Sequence, residues 1–261
     1  MKLMISVGKG EKCMRLWNLV TGKKAGVLNF ERVILGEVGE GKHSSGEGRK
    51  VAWGATDAGE EFCVGFERGI LVFGMDSKPK CKLVPEPRTK VHELCYVEVD
   101  NKEDVQVLAV STEDGRILFY STRPAHLVTA TSTEGKEAPL PSAKLVAQLG
   151  GKDAGLSGRI KDFSILSIGE GNTKDFIIVA AGSDGALRVW KLSASKDLGS
   201  HNGKAKQVGK LLGTYETGNR ITCLKAFVML PKMEGAEDDD IEDFAGSEED
   251  GDEESSSSDS D

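Results

Sequence analysis

A hairpin pattern that recurs four times limits this chain more than any other feature. It is clearest in Ile177–Leu192, IIVAAGSDGALRVWKL, where a run of β-forming apolar residues meets a Gly-Ser-Asp-Gly turn and a second apolar run ending in Trp190. Asp184 stands six residues before Trp190, Asp114 six before Tyr120, Glu67 six before Phe73, and Glu11 six before Trp17. In every copy the residue three before the aromatic is apolar (Met14, Ile70, Ile117, Leu187), and so is the residue one before it (Leu16, Val72, Phe119, Val189). One internal spacing met four times predicts a repeat protein, built by stacking similar units.

Taken in order, the chain predicts units of short strands over about 1–35, 49–85, 89–150 and 158–216, followed by a last strand over 219–230. The first unit reads as Leu3–Val7, Cys13–Asn18 and Ala25–Phe30. The second opens at Val51 and ends before Pro85 and Pro87, which break strands. Segments 36–48, 123–142 and 193–206 are polar and read as loops, the first two as flexible ones. Residues 232–261 form an acidic, low-complexity tail that predicts disorder. Four-stranded antiparallel units repeated radially make a β-propeller, so the fold expected for 1–231 is all-β.

Charge divides the chain in the same place. Glu234–Asp261 holds 15 of the 42 acidic residues and no Lys or Arg, which leaves 34 basic against 27 acidic residues in 1–233, a net of +7. No stretch approaches the ~18 apolar residues that a membrane helix needs. The opening MKLMISVGKGEKC lacks the apolar core of a signal peptide. The five cysteines are scattered, with no C-x-x-C pair, and read as free thiols rather than disulfides or a zinc site.

The chemistry-bearing motifs are sparse. G36-E-V-G-E-G-K-H43 approaches a phosphate-binding loop, but His43 stands where a magnesium-binding hydroxyl belongs, and the SSGEGR that follows cannot start the required helix. The histidines are dispersed and no nucleophile–base order stands out, so no catalysis, cofactor, metal or small-molecule substrate is expected. Glu11, Glu67, Asp114 and Asp184 hold one place in each repeat and read as turn acids capping local backbone N–H groups. Trp17, Phe73, Tyr120 and Trp190 read as packing aromatics. Lys50, Lys90, Arg159 and Arg220 each precede the first apolar residue of a unit's opening strand. They have two readings: partners of the turn acids, or a basic collar for a polyanion such as RNA. Ser247, Ser256 and Ser258 each have an acid three residues on and suit acidophilic kinases. The tail, with a span of roughly 30 Å, would compete with a ligand of such a collar.

The repeat with its Gly-Ser-Asp…Trp signature resembles WD40 repeats, in a degenerate form. Trp17-Asn18 and Trp190-Lys191 replace Trp-Asp, and no Gly-His pair opens a unit. Four hairpins and a lone strand fall short of the usual seven blades. The expectation is therefore an incomplete propeller, the C-terminal portion of a longer one, in which Leu3–Val7 begins a blade without its inner strand. The alternatives are an open arc or a self-associating half-ring. The stretches LMISVGKGEKCMRLWNLVTGKKA, GRIKDFSILS, GSDGALRVWKL and GNRITCLKAF resemble the WD-repeat p21-activated-kinase-interacting proteins and their fungal counterpart, the maintenance-of-killer ribosome-biogenesis factor. The resemblance covers roughly residues 3–230. It implies a nucleolar, non-catalytic scaffold for assembly of the large (60S) ribosomal subunit. The partners it implies are pre-60S assembly factors or ribosomal-like proteins and pre-ribosomal RNA. The second reading it implies is an adaptor that binds and restrains a p21-activated kinase.

Overall fold

The repeat becomes four β-sheets. The computed structural model describes residues 2–100, 105–129, 138–156, 158–168, 174–199 and 205–229. Sheet 1 has three strands, β1 (Leu3–Val7), β2 (Cys13–Asn18) and β3 (Lys24–Asn29), and is followed by the short helix α1 (Arg32–Glu37). Sheet 2 comprises β4 (Lys50–Thr56), β5 (Gly59–Gly65), β6 (Ile70–Gly74) and β7 (Pro79–Leu83). Sheet 3 is built from β8 (Val91–Asp100), β9 (Val105–Thr112), β10 (Arg116–Ser121) and β11 (Lys144–Gly150). Then come β12 (Ile160–Ile168), β13 (Asp175–Gly182), β14 (Ala186–Ser193), β15 (Lys206–Gln207) and β16 (Lys210–Glu216). Strand β16 completes sheet 4 beside β14, whereas β15 reaches back to pair in parallel with β11 of sheet 3. Residues Met1–Phe227 pack as one unit. Of the other, Val228–Asp261, the described residues Val228 and Met229 are exposed.

Register explains why the repeat keeps three positions apolar. Side chains alternate across a strand, so the aromatic and the residue before it face opposite ways. The aromatic faces the preceding sheet. The residues one and three before it face the following sheet. Phe73 and Leu71 join Met14 and Phe30 in the core between sheets 1 and 2. Ile70 and Val72 meet Leu118 and Tyr120 between sheets 2 and 3. Ile117 and Phe119 meet Ile178 and Trp190 between sheets 3 and 4. Three sheet-to-sheet junctions thus hold three apolar cores, and each hairpin serves two of them.

Three segments differ from their sequence expectations. Ile221–Met229 forms no strand: Leu224 N–H reaches Asp162 Oδ2 of β12 at 2.8 Å, but no strand among the described residues pairs with the segment through a main-chain ladder. Segment 36–48 is packed rather than loose. Val38 and Gly48 are buried, and a side-chain carbon on Gly48 would sit 2.8 Å from Val7 Cγ1. Glu40 accepts the Glu67 N–H at 3.0 Å, and Glu47 accepts the Gly10 N–H at 2.7 Å. The polar-looking 193–206 holds a π-helical turn, Ala194–Leu198, whose two end residues enter the core of sheets 3 and 4. Of the loop 123–142, residues 138–142 and 123–129 are described, and Val128 pairs with Ser142. The part from 130 to 137 lies outside the described residues.

Candidate functional site: the strand-opening collar and the inner strands

The first strands of sheets 2, 3 and 4 (β4, β8 and β12) adjoin one another, so the residues that open them gather at one edge. Lys50, Lys90 and Arg159 lie there, and each meets a carboxylate. Lys90 Nζ is 2.9 Å from Glu67, and Arg159 Nε is 3.0 Å from Glu113. Lys50 pairs with Glu93. Two of these three bridges run from the opening of one sheet to the turn of the sheet before. One main-chain bond follows the same path, Val91 N–H to Glu67 O at 2.9 Å, whereas Ser183 N–H to Arg159 O at 2.8 Å ties the opening of sheet 4 to its own turn. Arg220 is exposed, and no ion pair among the described residues engages it.

The turn acids are held by cations more than by backbone. Asp184 accepts the Ala186 N–H at 3.3 Å, and its stronger contact is Arg188 Nη2 at 2.6 Å. Asp114 takes Arg116 Nη2 at 2.7 Å and the Thr112 hydroxyl. Glu11 takes Arg15 Nη2 at 2.5 Å, and Glu67 takes Lys90 and Arg49. The guanidinium hydrogen bonds of Arg15 and Arg188 hold Glu11 and Asp184 below the usual carboxylate range, and Lys90 does the same for Glu67. Burial pushes Asp114 up, and the hydrogen bonds from Arg116 and Thr112 more than reverse it. Basic residues placed two or four positions after the turn acid in three of the four hairpins were the sequence signal for this pairing.

The aromatics divide by place. Phe73, Tyr120 and Trp190 are 1%, 4% and 5% exposed, whereas Trp17 is half-buried and donates its indole N–H to Ser6 Oγ at 2.8 Å. Ser247, Ser256 and Ser258 lie outside the described residues, as does the rest of the acidic tail. The cysteines are free. Burial pushes the Cys63 thiol far up and those of Cys81 and Cys95 up to about 12, so these three stay protonated and unreactive near neutral pH.

Sequence reasoning missed one buried polar centre. Glu61, from GEEF at the start of β5, is 1% exposed. It receives Lys80 Nζ at 2.6 Å, the Tyr96 hydroxyl at 2.9 Å and the Thr122 hydroxyl, tying sheets 2 and 3 together. Nothing in its own sequence neighbourhood distinguishes it from the exposed Glu60. A cavity of about 330 Å³ opens between the first strands of sheets 3 and 4, lined by Cys95, Glu98, Phe163, Ser167, Lys174 and Lys225. Lys174 Nζ lies 3.4 Å from Glu98 there, so the cavity presents a mixed, largely compensated charge. Among the described residues, no group of His, Cys, Asp and Glu could hold a metal ion, and no helix is long and apolar enough to cross a membrane.

Neither a family model nor a curated protein matches the chain. Solved structures are similar at low identity. One is the crystal structure of BBS1N in complex with ARL6DN, soaked with lead. It is 15% identical with a TM-score of 0.46, covering 72% of this chain and 54% of that one. The mercury-soaked form of that complex is 16% identical with a TM-score of 0.44, covering 72% and 49%. A protein of unknown function from Bacteroides caccae is 10% identical with a TM-score of 0.42, covering 82% and 57%. The chain spans about half the length of these structures.

Proposed function

We propose that this chain is a WD40-type propeller arc that serves as a non-catalytic scaffold in assembly of the large ribosomal subunit, in the nucleolus. The observation that carries the reading is the resemblance of four stretches to the WD-repeat ribosome-biogenesis family, together with where those stretches lie. Residues 3–25 make the β1–β2 hairpin and enter β3. Residues 158–167 make β12, 182–192 the β13–β14 turn and strand, and 218–227 the segment after β16. They fall at the two ends of the sheet stack and on one first strand, where a scaffold meets its neighbours. The ion pairs of Lys50, Lys90 and Arg159 shift the weight from RNA phosphate to protein partners, since each cation is already compensated.

The test is sedimentation of the tagged chain from nuclear extract. Co-migration with pre-60S particles, lost on ribonuclease treatment, is the expected result. Absence from those fractions, with ribonuclease-insensitive capture of a p21-activated kinase from cytosol, would replace the reading with the adaptor one.

A further inference from the structure

Segment 36–48, the β5–β6 turn and the connection after β7 meet around a second cavity of about 340 Å³. Gly39, Glu40, Gly41, Glu67, Arg68 and Arg88 are on its walls. Close main-chain fits hold those walls in place. A side-chain carbon on Gly69 would meet Val38 O at 2.6 Å and Leu83 O at 3.1 Å, so the turn seats directly on both neighbours. Glu40, 7% exposed, accepts the Glu67 N–H at 3.0 Å. Arg116 Nη1 donates to Glu86 O at 2.8 Å and ties down the connection that carries Arg88. Gly39 has a left-handed backbone (φ 77°), and a side-chain carbon on it would lie 3.3 Å from Arg88 Nη1. The Arg88 guanidinium therefore lies against bare backbone.

The charges of this cavity are not balanced. Arg15, Arg49, Arg116, Arg159 and Arg188 each meet a carboxylate. Arg68 and Arg88 do not: no ion pair or hydrogen bond among the described residues engages either one, although two carboxylates share their cavity. Glu67 is taken by Lys90 at 2.9 Å and Arg49 at 3.5 Å. Glu40 uses Oε1 for the turn N–H, and its Oε2 has no donor among the described residues. The walls thus present two guanidiniums with free N–H groups, one carboxylate oxygen with a free lone pair, and one positive charge in excess. Guanidiniums match carboxylate and phosphate alike. The size of the excess decides between them. One negative charge neutralises the cavity, whereas a phosphate dianion overshoots it and is repelled by Glu40. A zwitterionic amino acid brings no net charge and leaves the excess standing. The free oxygen of Glu40 calls for an N–H donor on the same ligand.

We propose that this cavity binds a carboxylate carried by a polypeptide, together with a backbone N–H next to it. Arg68 and Arg88 hold the carboxylate, and Glu40 Oε2 accepts the N–H. The carboxylate is that of a chain end or of an aspartate side chain, two sources of one chemistry. The volume lies near the lower end for ligand cavities, which suits a single residue entering from a partner protein. Capture of a chain-end carboxylate is an established mode of peptide recognition. This inference stands apart from the ribosomal reading and needs none of it.

The experiment titrates the full 261-residue chain, labelled with nitrogen-15, and follows the amide resonances of Gly39, Gly41 and Arg68. The probes are N-acetyl-glycyl-alanine, its C-terminal amide, and N-acetyl-aspartate N-methylamide. Saturable shifts from at least one of the two carboxylates are expected, with the C-terminal amide binding about tenfold more weakly or worse. Preference for the glycyl-alanine probe names a chain end as the source, and preference for the aspartate probe names a side chain. Arg68→Ala and Arg88→Ala, both at exposed positions, should leave circular dichroism unchanged and each weaken binding about tenfold. Glu40→Gln keeps an oxygen for the Glu67 N–H and adds to the positive excess, so inorganic phosphate should bind that variant more tightly than the parent. No shift with either carboxylate would overturn the proposal. So would equal binding of the C-terminal amide, or affinities unmoved by the two arginine substitutions. Inorganic phosphate or free alanine binding the parent as tightly as the peptides would overturn it in favour of a phosphate or amino-acid site.

Discussion

Phe73 and Trp17 hold the same place in their repeats and meet opposite fates. Phe73 stacks on Phe62 with ring centroids 5.2 Å apart and lies in the core shared with sheet 1. Trp17 points to where a preceding sheet would stand and remains half-buried, its indole satisfied by Ser6. The same contrast separates Ile117, fully buried between sheets 3 and 4, from Leu187, half-buried on the last sheet. A repeat position thus carries a tendency to be buried, and the neighbouring sheet realises it. In solenoid and propeller architectures the end units are the ones whose burial is left unfinished.

Core truncation gives the largest test of that contrast. Phe73→Ala should cost about 3–5 kcal/mol in urea unfolding, as large-to-small changes in packed cores do. Trp17→Ala should cost about 1–2 kcal/mol in dilute solution. Equal costs at both positions in dilute solution would break the comparison.

The junction between sheets 2 and 3 has a polar counterpart to its apolar core. Glu61→Ala would leave the Lys80 ammonium with the Thr56 hydroxyl alone, at 3.3 Å and with no counter-charge, and the Tyr96 hydroxyl without its acceptor. The expected loss is about 2–4 kcal/mol. Denaturant midpoints of the single variant and of Glu61→Ala with Lys80→Met should differ, the double variant recovering part of the loss. No recovery would mean that Tyr96 and Thr122, rather than Lys80, carry the cost.

Turn glycines sharpen the comparison further. Gly115 (φ 84°) and Gly185 (φ 83°) combine a left-handed backbone with a carbonyl of the following segment 2.6 Å from the missing side chain. Gly10 (φ 79°), in the longer turn of sheet 1, has nothing within 4 Å. Alanine at Gly115 or Gly185 should cost about 2–3 kcal/mol, and at Gly10 about 1 kcal/mol from backbone strain alone. Thermal midpoints of the three variants would show the difference.

The smallest effects are electrostatic. Asp184→Ala removes an ion pair that is partly open to solvent, and about 0.5–1 kcal/mol is expected. Asp114 and Asp184 both have folded-state carboxyls below their usual value. Their stabilisation is complete above the unfolded-state value near 4, and is lost as pH falls through the lower folded values. The melting temperature should therefore fall more steeply below about pH 4 in the parent chain than in Asp184→Ala. Parallel curves would show that Arg188 gives Asp184 no advantage on folding.

The sequence by itself determined the hairpins, their turns and the three apolar positions of each repeat, because alternation and turn chemistry act over a few residues. It also marked the bases that open the strands, but only Lys90 meets one of the turn acids, Glu67, whereas Lys50 and Arg159 take Glu93 and Glu113. Glu67 reaches Lys90 and Arg49 across strands, whereas Glu11 and Asp184 take an arginine four residues on in their own hairpins. Only the tertiary structure decided three further things. Ile221–Met229 has the composition of a strand, but a strand needs a ladder partner, and none among the described residues pairs with it. Segment 36–48 has the composition of a loose loop, yet Leu35 and Val38 anchor it in the core of sheets 1 and 2. Glu61 is indistinguishable from Glu60 in the sequence, but the pleat turns it inward to a lysine, a tyrosine and a threonine drawn from 19 to 61 residues away. Such contacts are set by which sheets pack together, and local sequence carries no record of that.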